Sequence, residues 1–210
     1  MNWLWNTLIG LGGAIFGWCI ARLSQNLERP VIILESFPES SDHDYGNHKF
    51  LAIRVTNKNR SWLKKIFFGQ KAALFCRAQI KYLNNQNSEI IPNFLDGRWA
   101  STGEPVIQVG NERLFQYNRV PDLKFEHIMP GQYCDLAVAI KHKDEKEFYA
   151  FDNISYAFMN VGFRDPDKKI DEKICNLEVQ IISSDGIYRK KSFVIHNPSD
   201  KLNTFKLKDK

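Results

Sequence analysis

The stretch ICNLEVQII, residues 174–182, alternates apolar and polar side chains along its length. In an extended chain Cys175, Leu177, Val179 and Ile181 fall on one side, and Asn176, Glu178 and Gln180 fall on the other. Successive side chains of a β-strand point to opposite faces, so this period of two is typical of a strand with one buried and one solvated face. We therefore expect an antiparallel sheet here, since such sheets commonly bury one face only.

The same period recurs through the chain after Pro30. It is clear in residues 49–56, 72–80 and 133–141, and weaker in residues 31–36, 90–94, 105–109 and 147–151. Ser184-Asp185-Gly186 follows the opening stretch and predicts a hairpin with residues 187–196. Residues 30–198 are thus predicted to form a mainly β domain, an antiparallel β-sandwich of immunoglobulin-like type, with a small closed barrel as the alternative. Residues 199–210, rich in lysine, are expected to form a flexible basic tail.

The cysteines follow the strand pattern. Cys76, Cys134 and Cys175 lie on the apolar faces of predicted strands, which favours free thiols that act as small core residues. An immunoglobulin-type disulfide between Cys76 and Cys134 is the alternative, since these two lie 58 positions apart with Trp99 between them. No CxxC pair occurs, and we expect neither a metal nor another cofactor.

The N-terminal segment carries no charged side chain before Arg22, although charged residues make up 25% of the protein. As a helix, residues 3–21 would measure about 28 Å, close to the ~30 Å hydrocarbon core of a bilayer. We therefore expect residues 1–29 to form one transmembrane helix and a short juxtamembrane helix that Pro30 ends. A cleaved signal peptide and a buried helix of the β-domain are the alternatives.

Two further features of this segment concern orientation and self-association. Arg22 and Arg29 follow the predicted span, so the positive-inside rule predicts an N-terminus outside and a cytoplasmic C-terminal domain. Small residues recur at a spacing of four, in Gly10, Gly13, Ala14 and Gly17, and this spacing permits close packing of two spans. The alternative is that small residues are merely common in membrane helices. The expected partners are thus the lipid bilayer and a second copy of the span.

The segment NKNRSWLKKIFFGQK, residues 57–71, carries five cationic side chains and no acidic one. Cations together with aromatic rings suit contact with an anionic membrane surface or an anionic ligand. The candidate contact residues are Arg60, Trp62, Lys64, Lys65, Phe67 and Phe68. The alternative is an interstrand loop whose lysines are solvated. Because the rest of the chain is balanced in charge, the net charge of +5 does not favour a nucleic-acid partner.

A second candidate surface is the stretch FLDGRWASTGEP, residues 94–105, whose central part has the composition of a turn. Arg98 and Trp99 in such a turn could recognise a protein partner, because exposed Arg and Trp often dominate binding energy. The alternative is that the Trp99 ring packs against the edge of the core.

No catalytic motif with a specific spacing occurs in the chain: GxSxG, HExxH, the P-loop and the dinucleotide fingerprint are all missing. We therefore expect a non-catalytic, membrane-anchored protein whose cytoplasmic β-domain is a binding or sensing module. A more specific version of this hypothesis is a ligand-gated membrane effector that oligomerises through its glycine-rich span. The alternative is an extracytoplasmic, membrane-anchored β-sandwich in adhesion or envelope assembly.

Overall fold

The computed structural model of the protein describes residues 2–37, 47–62, 69–143 and 145–210, with side chains from Gly13 onward in the N-terminal helix. In chain order its helix and strands are α1(Asn2–Glu28), β1(Ile32–Ser36), β2(His48–Asn57), β3(Ala73–Leu83), β4(Leu95–Asp96), β5(Arg98–Trp99), β6(Val106–Val109), β7(Glu112–Phe115), β8(Phe125–Ile128), β9(Tyr133–His142), β10(Phe148–Ala150), β11(Lys169–Ile170), β12(Ile174–Ile182), β13(Tyr188–His196) and β14(Lys206–Asp209). Short 3-10 helices lie at Tyr117–Arg119, Asp122–Lys124, Ile154–Val161, Pro166–Lys168 and Leu202–Thr204.

The strands form two six-stranded sheets and one separate hairpin. The first sheet has the order β1-β2-β9-β10-β11, with β5 also paired to β9. The second sheet has the order β14-β13-β12-β3-β4, with β8 also paired to β3, and β6 pairs with β7 alone. The sheets are antiparallel, and one of them curves into a half-barrel. The prediction of a mainly antiparallel β-protein is therefore confirmed.

The stretch ICNLEVQII forms β12, a central strand between β3 and β13. Its four predicted core residues, Cys175, Leu177, Val179 and Ile181, are buried as expected. The predicted hairpin follows it, since Ile182 pairs with Tyr188 across the turn. Gly186 adopts a φ of +72° in this turn, a conformation that glycine reaches without a steric penalty.

Apolar side chains of both sheets share one core. Ile53 and Leu136 come from the first sheet and Ile80 and Phe193 from the second, and all four are fully buried. A second, smaller cluster contains Ile140, Tyr149, Phe151 and Tyr156, with Val106 and Phe115 of the β6–β7 hairpin packed against it. The hairpin is therefore held to the body of the protein by its apolar face.

The predicted flexible tail over residues 199–210 is wrong for most of its length. β14 adds a strand to the second sheet by pairing with β13, and the Phe205 ring is fully buried in the core. The segment is also held by buried Lys141, whose Nζ donates to the Ser199 carbonyl at 2.7 Å and to Asn197 Oδ1. Burial lowers the pKa of Lys141. Core burial and strand pairing thus outweigh the polar composition of this segment.

Helix α1 runs without a break from Asn2 to Glu28, so the predicted span and juxtamembrane helix form one element. Within the described part of the chain, no helix combines the length and the apolar character that crossing a membrane requires. The predicted span starts at residue 3, and its part before Gly13, including Gly10, lies outside the residues whose side chains are described.

Candidate functional site at the base of the helix

The basic segment that follows β2 contacts the C-terminal end of α1. Lys71 binds Glu28 twice, because its Nζ lies 2.9 Å from the carboxylate and its backbone N–H donates to the Glu28 carbonyl at 2.9 Å. Arg60 Nη2 donates to the Arg29 carbonyl at 2.7 Å, which satisfies one of the acceptors left free at a helix end. Hydrogen bonds from Lys71 and Ser24 hold the pKa of Glu28 below its ordinary value. Both ends of the basic segment therefore fasten the helix to the β-domain.

Asn57, at the end of β2, holds the segments of this junction together with its side chain. Its side chain is fully buried, and Oδ1 accepts from the Val31 N–H at 3.1 Å and from Gln70 Nε2 at 3.0 Å. Its Nδ2 donates to the carbonyls of Lys71 at 3.2 Å and Ile128 at 3.0 Å. One amide thus joins the chain after the helix, the segment before β3 and the end of β8.

The junction carries an excess of positive charge around an open cleft. The cleft measures about 430 Å³ and lies between Asn26, Leu27 and Val31 on one side and Lys58, Asn59, Arg60 and Ser61 on the other. Lys58, which lines the cleft, has an exposed side chain. The side chains of Arg22, in the last part of the helix, and of Arg29, just after it, are also exposed, and Glu28 is the acidic residue at the helix end. A surface of this composition can attract an anionic group, such as a lipid phosphate, by Coulomb attraction.

The residues predicted to contact a membrane or an anionic ligand fall into two groups. Arg60 lies half-buried at the helix base, and the Trp62 side chain is 69% exposed. Lys64, Lys65, Phe67 and Phe68 lie outside the described residues.

The predicted packing residues of α1 face open space. Gly13, Ala14 and Gly17 are exposed, and a Cβ added at either glycine would meet no atom within 4 Å. Nothing in the described part of the same chain lies against either glycine.

Arg98 and Trp99 do not form the predicted exposed recognition turn. Both side chains are buried in β5, the Trp99 ring completely, and its Nε1 donates to the Lys124 carbonyl at 3.3 Å. Arg98 Nη1 donates to Asn153 Oδ1 at 2.6 Å, and its guanidinium lies 4.7 Å from the centre of the Tyr156 ring. A Cβ at the preceding Gly97 would lie 2.7 Å from Leu136 Cδ1. This glycine therefore serves close strand packing rather than a turn, which the local sequence did not distinguish.

A buried ionic cluster beside Arg98 was not predicted from the sequence. Lys168 Nζ lies 2.7 Å from Asp152 Oδ1 and 3.0 Å from Asp165 Oδ2. Asp165 caps the 3-10 helix Pro166–Lys168 by accepting from the Asp167 N–H. The pattern Asp-Pro-Asp-Lys, with a capping residue before a proline at the first helical position, is the one signal that pointed to this local structure.

Several described titratable groups outside the junction have structural roles. Burial alone would raise the pKa of Asp96, but hydrogen bonds from Arg77 and Lys124 outweigh it and hold the pKa below its ordinary value. All four cysteines are free, and burial raises the pKa of Cys76 and Cys175 to about 12, so these thiols stay protonated at neutral pH. Among the described residues, no group of three or more His, Cys, Asp or Glu could hold a metal ion.

His142, at the end of β9, is a buried imidazole whose pKa departs from its ordinary value. Its Nε2 is buried and has no hydrogen-bond partner in the described part of the chain. Burial and the Arg164 guanidinium lower the pKa of His142, against an opposing effect of the Glu145 carboxylate. The rings of His48 and Tyr149 lie 5.8 Å and 6.1 Å away. The folded state therefore favours the neutral imidazole.

We expect the free energy of unfolding to fall as the pH drops from about 7 to below 6, because unfolded His142 takes up a proton that the folded ring resists. One such group changes the free energy by at most about 1.4 kcal/mol per pH unit. Urea unfolding at several pH values measures the slope. His142→Gln is expected to flatten this slope, and His196→Gln, on β13, controls for the replacement of a histidine as such. An unaltered slope in His142→Gln would assign the pH dependence to other groups.

Comparison of the chain with protein-family models, with curated proteins and with solved structures finds no match.

Proposed function

We propose that the protein is a single-pass membrane protein in which α1 spans the bilayer and the β-domain is a non-catalytic binding or sensing module. The observation that carries this proposal is the surface of α1. Its apolar side chains Ile15, Phe16, Trp18, Ile20 and Leu23 are between 51% and 68% exposed. At about 100° per residue they point to several sides of the helix, so no single partner face would cover them, whereas lipid surrounds a helix on all sides.

The length and charge of the helix support the same proposal. Its 27 residues correspond to about 40 Å, enough for a ~30 Å hydrocarbon core and one headgroup layer. The basic residues at the helix base would then lie at the anionic headgroups, where each contributes about 1 kcal/mol of attraction.

We place the β-domain on the cytoplasmic side. Arg22 and Arg29 flank the helix on its domain side, as the positive-inside rule requires of a cytoplasmic flank. The four free cysteines agree with a reducing compartment. The two facing sheets with a buried Trp99 support an immunoglobulin-like sandwich for this module.

We also propose that the spans associate through the open face formed by Gly13, Ala14 and Gly17, with Gly10 continuing it. Small residues let two helix backbones approach closely in lipid. A conformational change that a ligand or protein causes in the β-domain would then reach the spans through the Glu28–Lys71 and Arg60–Arg29 contacts at the junction.

Membrane anchoring is tested with Ile15→Asp in the full chain. A carboxylate near the middle of a membrane helix costs about 3 kcal/mol, which is roughly a hundredfold loss of insertion. We expect the wild type to remain in the membrane pellet after alkaline carbonate extraction and Ile15→Asp to shift to the supernatant. Val161→Asp, at an exposed apolar position of the β-domain, is the matched control and should stay in the pellet.

Two outcomes would contradict the proposal in different ways. A wild-type protein that carbonate releases completely is not anchored by α1. A β-domain that protease digests in intact cells lies outside the cytoplasm, and this result would favour the alternative of an extracytoplasmic protein in adhesion or envelope assembly.

A further inference from the structure

We propose that the β-domain itself enters the interface of the bilayer that holds α1, through an apolar end patch formed by Leu74, Phe75, Phe125 and Met129. This inference rests on the proposed membrane anchoring and adds a second, separate contact. The four side chains are between 38% and 52% exposed, although each is apolar. A cluster of exposed apolar side chains on one end of a domain indicates an interaction surface.

The end patch lies at the helix end of the β-domain. β3 begins two residues after Lys71, which binds Glu28, and Ala73 pairs with Ile128 just before Met129. The turn after Met129 returns to the same junction, because the Gly131 N–H donates to the Asn57 carbonyl at 2.7 Å. A bilayer that surrounds α1 is therefore the surface nearest to this end of the domain.

The backbone of Phe75 is built to hold its ring outward. Phe75 has a φ of +49°, which is uncommon for a bulky side chain, and the pairing of β3 with β8 shifts register at this point. Its N–H donates to His127 Nδ1 at 3.1 Å, and its ring contacts that imidazole edge-on at 4.6 Å. The Leu74 N–H donates to Asp185 Oδ2 at 3.2 Å. A residue of a regular strand has a negative φ and no such strain. The strained backbone of Phe75 coincides with an exposed aromatic ring, which indicates a functional reason for the strain.

Charge identifies the occupant as an anionic lipid surface rather than a protein. Lys71, the cation that binds Glu28 at the helix base, stands three positions before Leu74, and exposed Trp62 adds an aromatic ring of the type that prefers the headgroup region. Two carboxylates at the patch accept hydrogen bonds from neutral donors, Asp185 from the Leu74 N–H and Glu126 from Ser101 and the His127 N–H, so the attraction to an anionic surface comes from the more numerous cations of the helix base. Apolar side chains beside cations match the acyl boundary and the anionic headgroups of one leaflet.

The test measures the depth of a fluorophore in the full chain. Phe75→Cys and, as a second site, Met129→Cys carry an NBD label in a Cys19→Ser background, whose own labelling is subtracted. The matched control is Asn87→Cys, because Asn87 is exposed, has a positive φ of 59° and lies in the turn after the opposite end of β3. Each protein is reconstituted in vesicles of phosphatidylcholine and phosphatidylserine that contain nitroxide-labelled lipid.

We expect the nitroxide lipid to quench the label at positions 75 and 129 at least about threefold more than at position 87, and the difference to shrink in pure phosphatidylcholine. If the protein resists carbonate extraction but positions 75 and 129 are quenched no more than position 87, the end patch does not touch the bilayer, although the anchoring stands. If carbonate extracts the protein from the vesicles, the anchoring fails and this inference fails with it.

Discussion

Replacing Lys168 with methionine is expected to lower the free energy of unfolding by about 3–5 kcal/mol, because it leaves two carboxylates buried without their shared cation. The Lys168 side chain is 9% exposed, and those of Asp152 and Asp165 are each 6% exposed. Methionine has a similar length and keeps the volume, so the loss reports the missing charge rather than a cavity. Urea unfolding followed by tryptophan fluorescence measures the change.

Two variants separate this effect from a general effect of removing a lysine. Lys169→Met removes the charge of the neighbouring lysine, whose exposed ammonium pairs with Glu147. This variant should change the free energy of unfolding little. The double variant Lys168→Met/Asp152→Asn removes one of the orphaned charges and should recover part of the loss. A Lys168→Met protein as stable as the wild type would mean that the two carboxylates reach solvent or other donors.

Asn57→Ala is expected to cost about 2–4 kcal/mol of stability, because four hydrogen bonds of one fully buried amide disappear. The partners left behind are the Val31 N–H, Gln70 Nε2 and the carbonyls of Lys71 and Ile128. Val31, just after the helix, and Lys71, just before β3, both lie at the junction. The variant should therefore also loosen the attachment of α1 to the β-domain.

Two measurements distinguish the global loss from the local one. Chemical unfolding gives the global loss, and hydrogen exchange of the backbone at residues 57–60 and 69–72 gives the local loosening. Asn59→Ala, at an exposed position two residues on, is the matched control and should change the stability by less than about 0.5 kcal/mol. If the two variants behave alike, the buried amide does not organise the junction.

The strands could be predicted because their signal is local. In β12 every second residue is apolar, and the structure buries those residues. The ionic cluster could not be predicted in the same way, because Lys168 and Asp152 are 16 positions apart and meet only through the fold. Lys168 stands in a charged run that resembles a solvated loop.

The two clearest errors have related causes. Gly97 reads as a turn residue, but the strand packing leaves no room for a side chain there, and Trp99 enters the core. Phe205 reads as part of a polar tail, but β14 finds its partner in β13 and the ring fills the core. In both cases a contact with a distant strand outweighs the local composition.

The candidate site shows the same division. The sequence identified the basic segment after β2, whereas the contact of this segment with the helix end was visible only in the structure. No local sequence pattern indicated the Asn57 amide or the end patch. Phe75 lies in β3, and the apolar period of that strand indicates only the face that is buried.

By itself the sequence determined where the five long strands lie, which of their faces are mainly apolar and that a helix precedes them, because these properties depend on residues a few positions apart. Only the tertiary structure decided that Arg98, Trp99 and Lys168 are interior, that the C-terminal segment completes a sheet and that Phe75 is held outward beside the helix. These outcomes depend on which distant groups exclude water together, and chain neighbours carry no information about that.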